Sequence, residues 1–276
     1  MKKYFLHTIF IFFFSQTYGQ NPLDLIDSMI NSISEIKTLE YDLKSTELIN
    51  SKLISTTTKT KFKKTPFSVY SIIVSPFDSL EVLHTNKSEK SLINPNSFPY
   101  INLKLNPYGS LMRANQHHTL YDLGFDNFKS IIVSSVEKIG EEFDKYISVL
   151  RDKKLDGKSY YVLQLKSPDF KYVEYMVKSS ENIEEIAQRK DVSSYLILLK
   201  NELSNYDDVE NGDKIYIPNS YAESIEIWID TETYLPLIQK IYLNGELFEH
   251  YEYSNVKVNP TFEKNEFFET YKEYGF

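Results

Sequence analysis

Asn244-Gly245 stands between two strand-like runs, Leu237 to Leu243 and Glu246 to Tyr253, and this arrangement constrains the chain more than any other feature. Asn-Gly is the dipeptide that best accepts the two positive φ angles of a two-residue hairpin turn. Successive side chains of a strand point to opposite faces, and here both faces of both arms carry apolar residues. Such a hairpin cannot leave either face wholly in water. One face needs a helix, and the other a loop or a ligand. Folding about the turn predicts Lys240 opposite Glu249, Ile241 opposite Phe248 and Gln239 opposite His250, pairs compatible with one register.

Strand signals fill much of the remaining chain. Ile225, Ile227 and Ile229 alternate with Glu226, Trp228 and Asp230, and Asp156-Gly157 separates the arms Tyr146 to Lys154 and Tyr160 to Lys166. From about Leu39 to residue 85 the composition is β-branched and aromatic, as in Phe67-Ser68-Val69-Tyr70-Ser71-Ile72-Ile73-Val74. Two amphipathic helices are predicted. Asn21-Pro22 supplies a cap and first position for one running to about Leu39, with Ile26, Ile30, Ile33 and Ile36 at helical spacing. The other runs from Asp126 to about Phe143. Residues 94 to 113, punctuated by Pro95, Pro99, Pro107 and Gly109, read as a long loop too apolar to be disordered.

Met1-Lys2-Lys3, the apolar run Tyr4 to Phe14 and the small residues before Gln20 form an export signal, expected over 1–19 with cleavage near Gly19. The run is about half the length a membrane span needs, and no later segment supplies one. Removing the signal leaves 29 bases against 39 acids, a net charge of −10, which disfavours nucleic acid and anionic lipid surfaces as partners. Lys59, Lys61 and Lys63 share one strand face and read as solvated. With no cysteine there is no disulfide, so the core alone must stabilise the fold in an oxidising compartment.

Ile225-Glu226-Ile227-Trp228-Ile229-Asp230, Leu235-Pro236, the Asn-Gly hairpin, Asn255-Val256-Lys257-Val258-Asn259 and Phe267 together resemble the C-terminal half of the lipoprotein-carrier family (LolA/LolB-like). That resemblance implies an α+β fold: a curved antiparallel sheet, an incomplete barrel, with helices on the concave side and an apolar cavity for acyl chains. Pro66-Phe67-Ser68-Val69-Tyr70, Asn106-Pro107-Tyr108-Gly109-Ser110 and His117-His118-Thr119 look like a branch of exported proteins with this fold that has no established activity.

A second stretch looks like a LysM module, a βααβ unit that binds N-acetylglucosamine-containing glycans. It runs from Tyr175-Met176-Val177 through Asn182-Ile183-Glu184-Glu185-Ile186-Ala187 to Lys214-Ile215-Tyr216-Ile217-Pro218, with Ser180-Glu181 where the family has Gly-Asp. By this resemblance a glycan groove would be lined by Ser179, Ser180, Glu181 and Asn182 and by Asn205, Tyr206, Asp207 and Asp208. The expected organisation is a half-barrel over 20–167, a LysM-like insert over 168–221 and the closing half-barrel strands over 222–276. An insert at a hairpin tip is tolerated because lengthening a loop costs little.

No catalytic motif is present: no G-x-S-x-G elbow, no phosphate-binding glycine loop, no H-E-x-x-H helix. Arg113, His117 and His118 form a dense polar cluster, but adjacent strand residues point apart, so neither a metal site nor acid–base chemistry is expected, and the reading is structural. The 22 tyrosines and 18 phenylalanines fit a greasy cavity as well as a filled core. The sequence therefore reads as a non-enzymatic periplasmic binding or carrier protein without cofactor, holding a lipid or lipoprotein acyl chain. Phe67, Val69, Ile72, Tyr161, Leu163, Leu165 and Trp228 are the candidate lining residues. Peptidoglycan binding through the insert is the alternative.

Overall fold

In a computed structural model of the protein, Asn244 and Gly245 take φ angles of 50° and 74°, and Asp156 and Gly157 take 49° and 79°. Both dipeptides thus make the tight turns their chemistry favours. The structure describes residues 21–276, apart from residues 77, 78, 99, 179 and 180 and the side chain of residue 151. The expected export signal lies outside the described residues.

In chain order the elements begin with helix α1 (Pro22–Ser34) and strands β1 (Thr38–Ile49), β2 (Lys52–Lys63), β3 (Ser68–Ser75), β4 (Leu80–Thr85), β5 (Ser91–Asn94) and β6 (Leu103–Leu105). Helices α2 (Asp126–Ile139) and α3 (Phe143–Tyr146) precede β7 (Ile147–Leu155) and β8 (Lys158–Lys166). Then come β9 (Tyr172–Met176), α4 (Ile183–Lys190), α5 (Ser194–Lys200) and β10 (Lys214–Pro218). Strands β11 (Ser224–Asp230), β12 (Pro236–Leu243) and β13 (Glu246–Val258) close the fold.

Eleven strands form one antiparallel sheet in the order β6-β5-β4-β3-β2-β1-β13-β12-β11-β8-β7. Its edges, β6 and β7, do not pair with each other, so the sheet stays open. The fold is α+β, an incomplete barrel with α2 against its inner face. The core between helices and sheet includes Leu25, Met29 and Ile33 of α1, Ile132 of α2, Val162 of β8 and Ile227 of β11, all 1% exposed or less. Each such side chain contributes about 1.5–3 kcal/mol by leaving water.

Three sequence expectations are corrected. Helix α1 stops at Ser34 rather than near Leu39. Asn259 ends it from a distance: its Oδ1 accepts from the backbone N–H groups of Lys37 (2.7 Å) and Thr38 (3.2 Å), and its Nδ2 donates to the Glu35 carbonyl. Helix α2 likewise ends at Ile139, where Gly140 takes φ 61°, a conformation glycine adopts without strain. The long loop of residues 94 to 113 contains the short strand β6, paired with β5.

The register of the Asn-Gly hairpin also differs from the expected one. Lys240 faces His250, Ile241 faces Glu249 and Gln239 faces Tyr251, because a β-bulge shifts the pairing between Ile241 and Tyr242. One extra residue inverts inside and outside for the whole arm beyond it. Glu249, Tyr251 and Tyr253 thereby face the concave interior.

Between β8 and β11, which pair directly, the chain leaves the sheet as a βααβ unit. Strands β9 and β10 pair antiparallel and cover their own small core of Val177, Ile183, Ile186, Ile197, Ile215 and Ile217. Tyr195 and Leu196 of α5 belong instead to the main core. The unit is docked, not tethered.

Candidate functional site

The concave face encloses a cavity of about 290 Å³. Alternate residues of successive strands make its floor: Leu43, Ser45 and Glu47 of β1, Ile54, Thr56 and Thr58 of β2, Ser71 and Ile73 of β3, and Leu80 and Val82 of β4. This is one face of a pleated sheet bent around a space. Phe128 and Ile131 of α2 and Leu111, Met112, Leu120 and Leu123 of the preceding loop form the roof. The half under β2 to β6 is mostly apolar. The other end, at β1, β12 and β13, is polar.

That polar end is a buried network. Glu249, fully buried, has its carboxylate 2.7 Å from His117 Nδ1 and 3.6 Å from His118 Nε2. The Tyr221 hydroxyl donates to it at 3.0 Å. Glu47, 5% exposed, accepts from the Tyr251 hydroxyl (2.5 Å) and from the backbone N–H of His117 (2.9 Å). His117 Nε2 lies 3.1 Å from the Leu48 carbonyl, so each ring nitrogen has an acceptor within hydrogen-bond reach. The ring is clamped between Tyr195 and Phe248, with centroids 4.1 and 4.4 Å away.

Burial opposes ionisation of Glu249, yet the hydrogen bonds and charges of His117 and His118 bring its carboxyl down to about 2. Burial would likewise lower His118, but the nearby carboxylates of Asp122, at 3.8 Å, and Glu249, at 3.6 Å, hold it well above its usual value. Burial, then the neighbouring carboxylates, push the Tyr221 and Tyr251 phenols far up. Every buried charge here has a partner, as it must to be tolerated. The two histidines converge because residues 117 and 118 sit in a bend rather than a strand. Through these contacts His117 links β1, β13 and α5.

Arg113 completes the joint. Its guanidinium, 2% exposed, lies 2.6 Å from Glu184 of α4, donates to the His117 carbonyl (2.8 Å) and to Ser194 of α5 (3.0 Å), and stacks 3.4 Å over the Tyr206 ring. A planar fork satisfying carboxylate, carbonyl, hydroxyl and ring at once is what arginine offers and lysine does not.

The structure thus brings Arg113, His117 and His118 together. It does not bring the expected lining residues to the cavity. Val69, Leu163, Leu165 and Trp228 are buried within the main core. Ile72 has the opposite parity to the cavity-facing Ser71 and Ile73. Phe67 packs edge-on against Phe62 and His84, and Tyr161 stacks on Tyr234. For Tyr161, Leu163, Leu165 and Trp228 the physical reason is that β8 and β11 lie beyond β12, where side chains fill the interior. At the start of β3, Phe67 and Val69 are taken up by core packing, and Ile72 turns to the other face. The cavity instead opens over β1 to β6, a placement set by which end of the sheet α2 covers.

Of the expected glycan groove, Ser179 and Ser180 lie outside the described residues. Glu181 is engaged by Arg189 (2.5 Å), the Tyr175 hydroxyl and the Lys178 N–H. Its desolvation is outweighed by these contacts, which hold its carboxyl at about 2. Asn182 caps α4 through the Glu185 N–H. Asn205 and Asp208 bond each other in a turn, Asp207 is exposed, and Tyr206 faces Arg113. Glu47, Asp122, Glu184, Tyr221, Glu249 and Tyr251 were not singled out by sequence reasoning. The one available signal was Glu249 in an apolar hairpin arm, concealed by the assumption of uniform pairing.

Among the described residues no group of three or more His, Cys, Asp and Glu is arranged to hold a metal, and no helix is long and apolar enough to cross a membrane.

A family model described as "Protein of unknown function (DUF1571)" matches residues 36–181, just over half of the chain. The chain belongs to the DUF1571 family. Its matched part runs from the start of β1 to the threshold of α4, and so contains the cavity floor of β1 to β6, α2, Arg113 and both histidines. No curated protein matches this DUF1571 chain. Among solved structures it is similar to the lipoprotein LppX of Mycobacterium tuberculosis, at 8% identity over 87% of this chain and 96% of that one, with TM-score 0.41. It is also similar to LprF of Mycobacterium bovis (9% identity, 89% and 96%, TM-score 0.42). A LolA superfamily protein of Nitrosomonas europaea is a third (11% identity, 90% and 97%, TM-score 0.33).

Proposed function

We propose that this DUF1571 chain is a non-catalytic carrier of the cell envelope that shelters an acyl chain inside its half-barrel. One observation carries the reading: a cavity of about 290 Å³ whose floor and roof are mostly apolar over β2 to β6 and α2. That volume lies just below the range of small-molecule pockets, about 300–1,000 Å³, and suits a single chain. Each methylene moved from water contributes about 0.8 kcal/mol. Ten of them, about 8 kcal/mol gross, offset the freedom lost on binding. The apolar run at residues 4–14 supports delivery to the envelope as an export signal.

Native mass spectrometry of protein purified from its own envelope tests this, together with extraction and identification of what co-purifies. A lipid bound one-to-one to the wild type and absent from Thr58→Phe, which plants a ring in the cavity, is the expected result. Wild-type protein free of lipid, and unable to take up a fluorescent fatty acid, would sink the idea.

The insert supports a second reading, glycan contact through the LysM-like unit. In its support, the Ile183 N–H at the start of α4 donates to the Tyr206 carbonyl at 3.0 Å. Pull-down on purified sacculi of wild type against an Asn205→Ala, Asp207→Ala double variant checks it. Equal retention removes it.

A further inference from the structure

A second space of about 310 Å³ adjoins the apolar cavity, and His118, Asp122, Asn127, Ile131 and Tyr221 line both. Its far wall is the insert: Glu184, Gln188 and Asp191 at α4, and Ser193 and Ser194 at the start of α5. The carrier reading gives this space no role. Building on that reading, we propose that it seats the head of the ligand, and that the head is uncharged and rich in hydroxyl groups, a sugar or similar polyol.

Charge decides the class. No lysine or arginine is among the residues lining the space, while Asp122, Asp126, Glu184 and Asp191 are. The His118 ring faces the space, but Glu249 at 3.6 Å and Asp122 at 3.8 Å already neutralise it. A phosphate or carboxylate head would therefore find no unpaired cation and would face like charge. A cationic head fares little better, because three of the four acids already hold partners. Asp126 binds Lys64 at 2.8 Å and Lys129 at 3.4 Å, and Glu184 binds Arg113 at 2.6 Å. Asp122 accepts the Thr119 N–H and hydroxyl at 2.7 and 2.8 Å, with His118 3.8 Å away.

What remains is a balanced set of donors and acceptors. Asn127, Ser130, Gln188, Ser193 and Ser194 each offer at least one of each, and the neutralised carboxylates keep spare lone pairs. Tyr121 also lines the space. A hydroxyl both donates and accepts, so a polyol satisfies such a wall where an ion does not. The insert thereby acquires a role in binding. It supplies half of the head-binding wall, and the Arg113–Glu184 pair holds that wall in place.

Three amphiphiles sharing one dodecyl chain separate the possibilities: dodecyl glucoside, dodecyl phosphate and dodecyltrimethylammonium. Each is titrated by calorimetry, below its micelle concentration, into the full-length mature protein. The glucoside is expected to bind at least about tenfold more tightly than either ion. The double variant Ser130→Ala, Gln188→Ala, both at exposed positions, should reduce that preference about tenfold and leave the two ions unchanged. Equal binding of all three, or preference for an ion, overturns the head assignment and leaves the acyl cavity standing. Binding of none overturns the carrier reading and this inference with it.

Discussion

Glu249 holds one buried carboxylate between two consecutive histidines, 2.7 Å from His117 Nδ1 and 3.6 Å from Nε2 of the partly exposed His118. Removing the acid would strand a buried imidazole against carbonyls and aromatic rings. Breaking a buried pair on one side costs about 3–5 kcal/mol. Glu249→Leu is therefore expected to lower stability by that order in urea unfolding at neutral pH. Loss below about 1 kcal/mol would show that the network contributes little to the fold.

The same network sets the pH dependence. Glu249 ionises at about 2 in the folded protein against an ordinary value of 4.5. Its contribution is present above about 4.5 and is lost as pH falls from there through 2. His118 is raised above 6.5, so its contribution is complete below 6.5 and declines as pH climbs through the raised value. Stability should peak between about pH 4.5 and 6.5 and fall on both sides. His118→Gln should flatten the alkaline limb of a melting-temperature profile and also shrink the acid limb, because part of the lowering of Glu249 comes from His118.

Arg113 and Glu184 lie 71 residues apart and form the tightest polar link between half-barrel and insert. Arg113→Leu should cost about 3–5 kcal/mol by leaving Glu184 buried without its cation. The double variant Arg113→Leu, Glu184→Leu should recover part of that loss, giving a coupling of about 0.5–3 kcal/mol in a double-mutant cycle. Hydrogen exchange should show α4 and α5 losing protection in the single variant while β1 and β13 keep theirs. Strict additivity of the two substitutions would mean that the insert is held elsewhere.

The C-terminal segment closes over the outer face of the sheet. The Gly275 N–H donates to both oxygens of Glu81, at 3.1 and 3.0 Å, and Tyr274 stacks on Tyr70 at 3.5 Å. A Cβ at Gly275 would stand 2.6 Å from Glu81 Oε1 and 2.7 Å from Asn94 Nδ2. Glu81 cannot easily yield, because the Tyr70 hydroxyl holds it at 2.7 Å. Gly275→Ala should cost about 1–3 kcal/mol and expose the last residues to carboxypeptidase. Unchanged proteolysis would contradict this.

Local chemistry determined much of the architecture. Asn244-Gly245 and Asp156-Gly157 specify their turns by backbone preference alone, and Ile26, Ile33, Phe128 and Ile131 mark the buried sides of α1 and α2 because helical spacing aligns them. The βααβ unit between β8 and β11 was legible in another way, as what the resemblance of residues 175–218 to a LysM module implies. Where helices end was not. Asn259, more than two hundred residues away in sequence, terminates α1, and no local signal announces that.

The interior depended on long-range geometry. A single bulge beside Tyr242 turns Glu249 inward, and period-two alternation makes every face assignment beyond it depend on that one residue. The bend at His117 and His118 aims both rings at one acid, and the coverage of the sheet by α2 decides where space is left open. Short-range propensity therefore settled which elements form. Only the packed chain settled what they enclose, because enclosure is set by how distant strands register and where a helix lies across them.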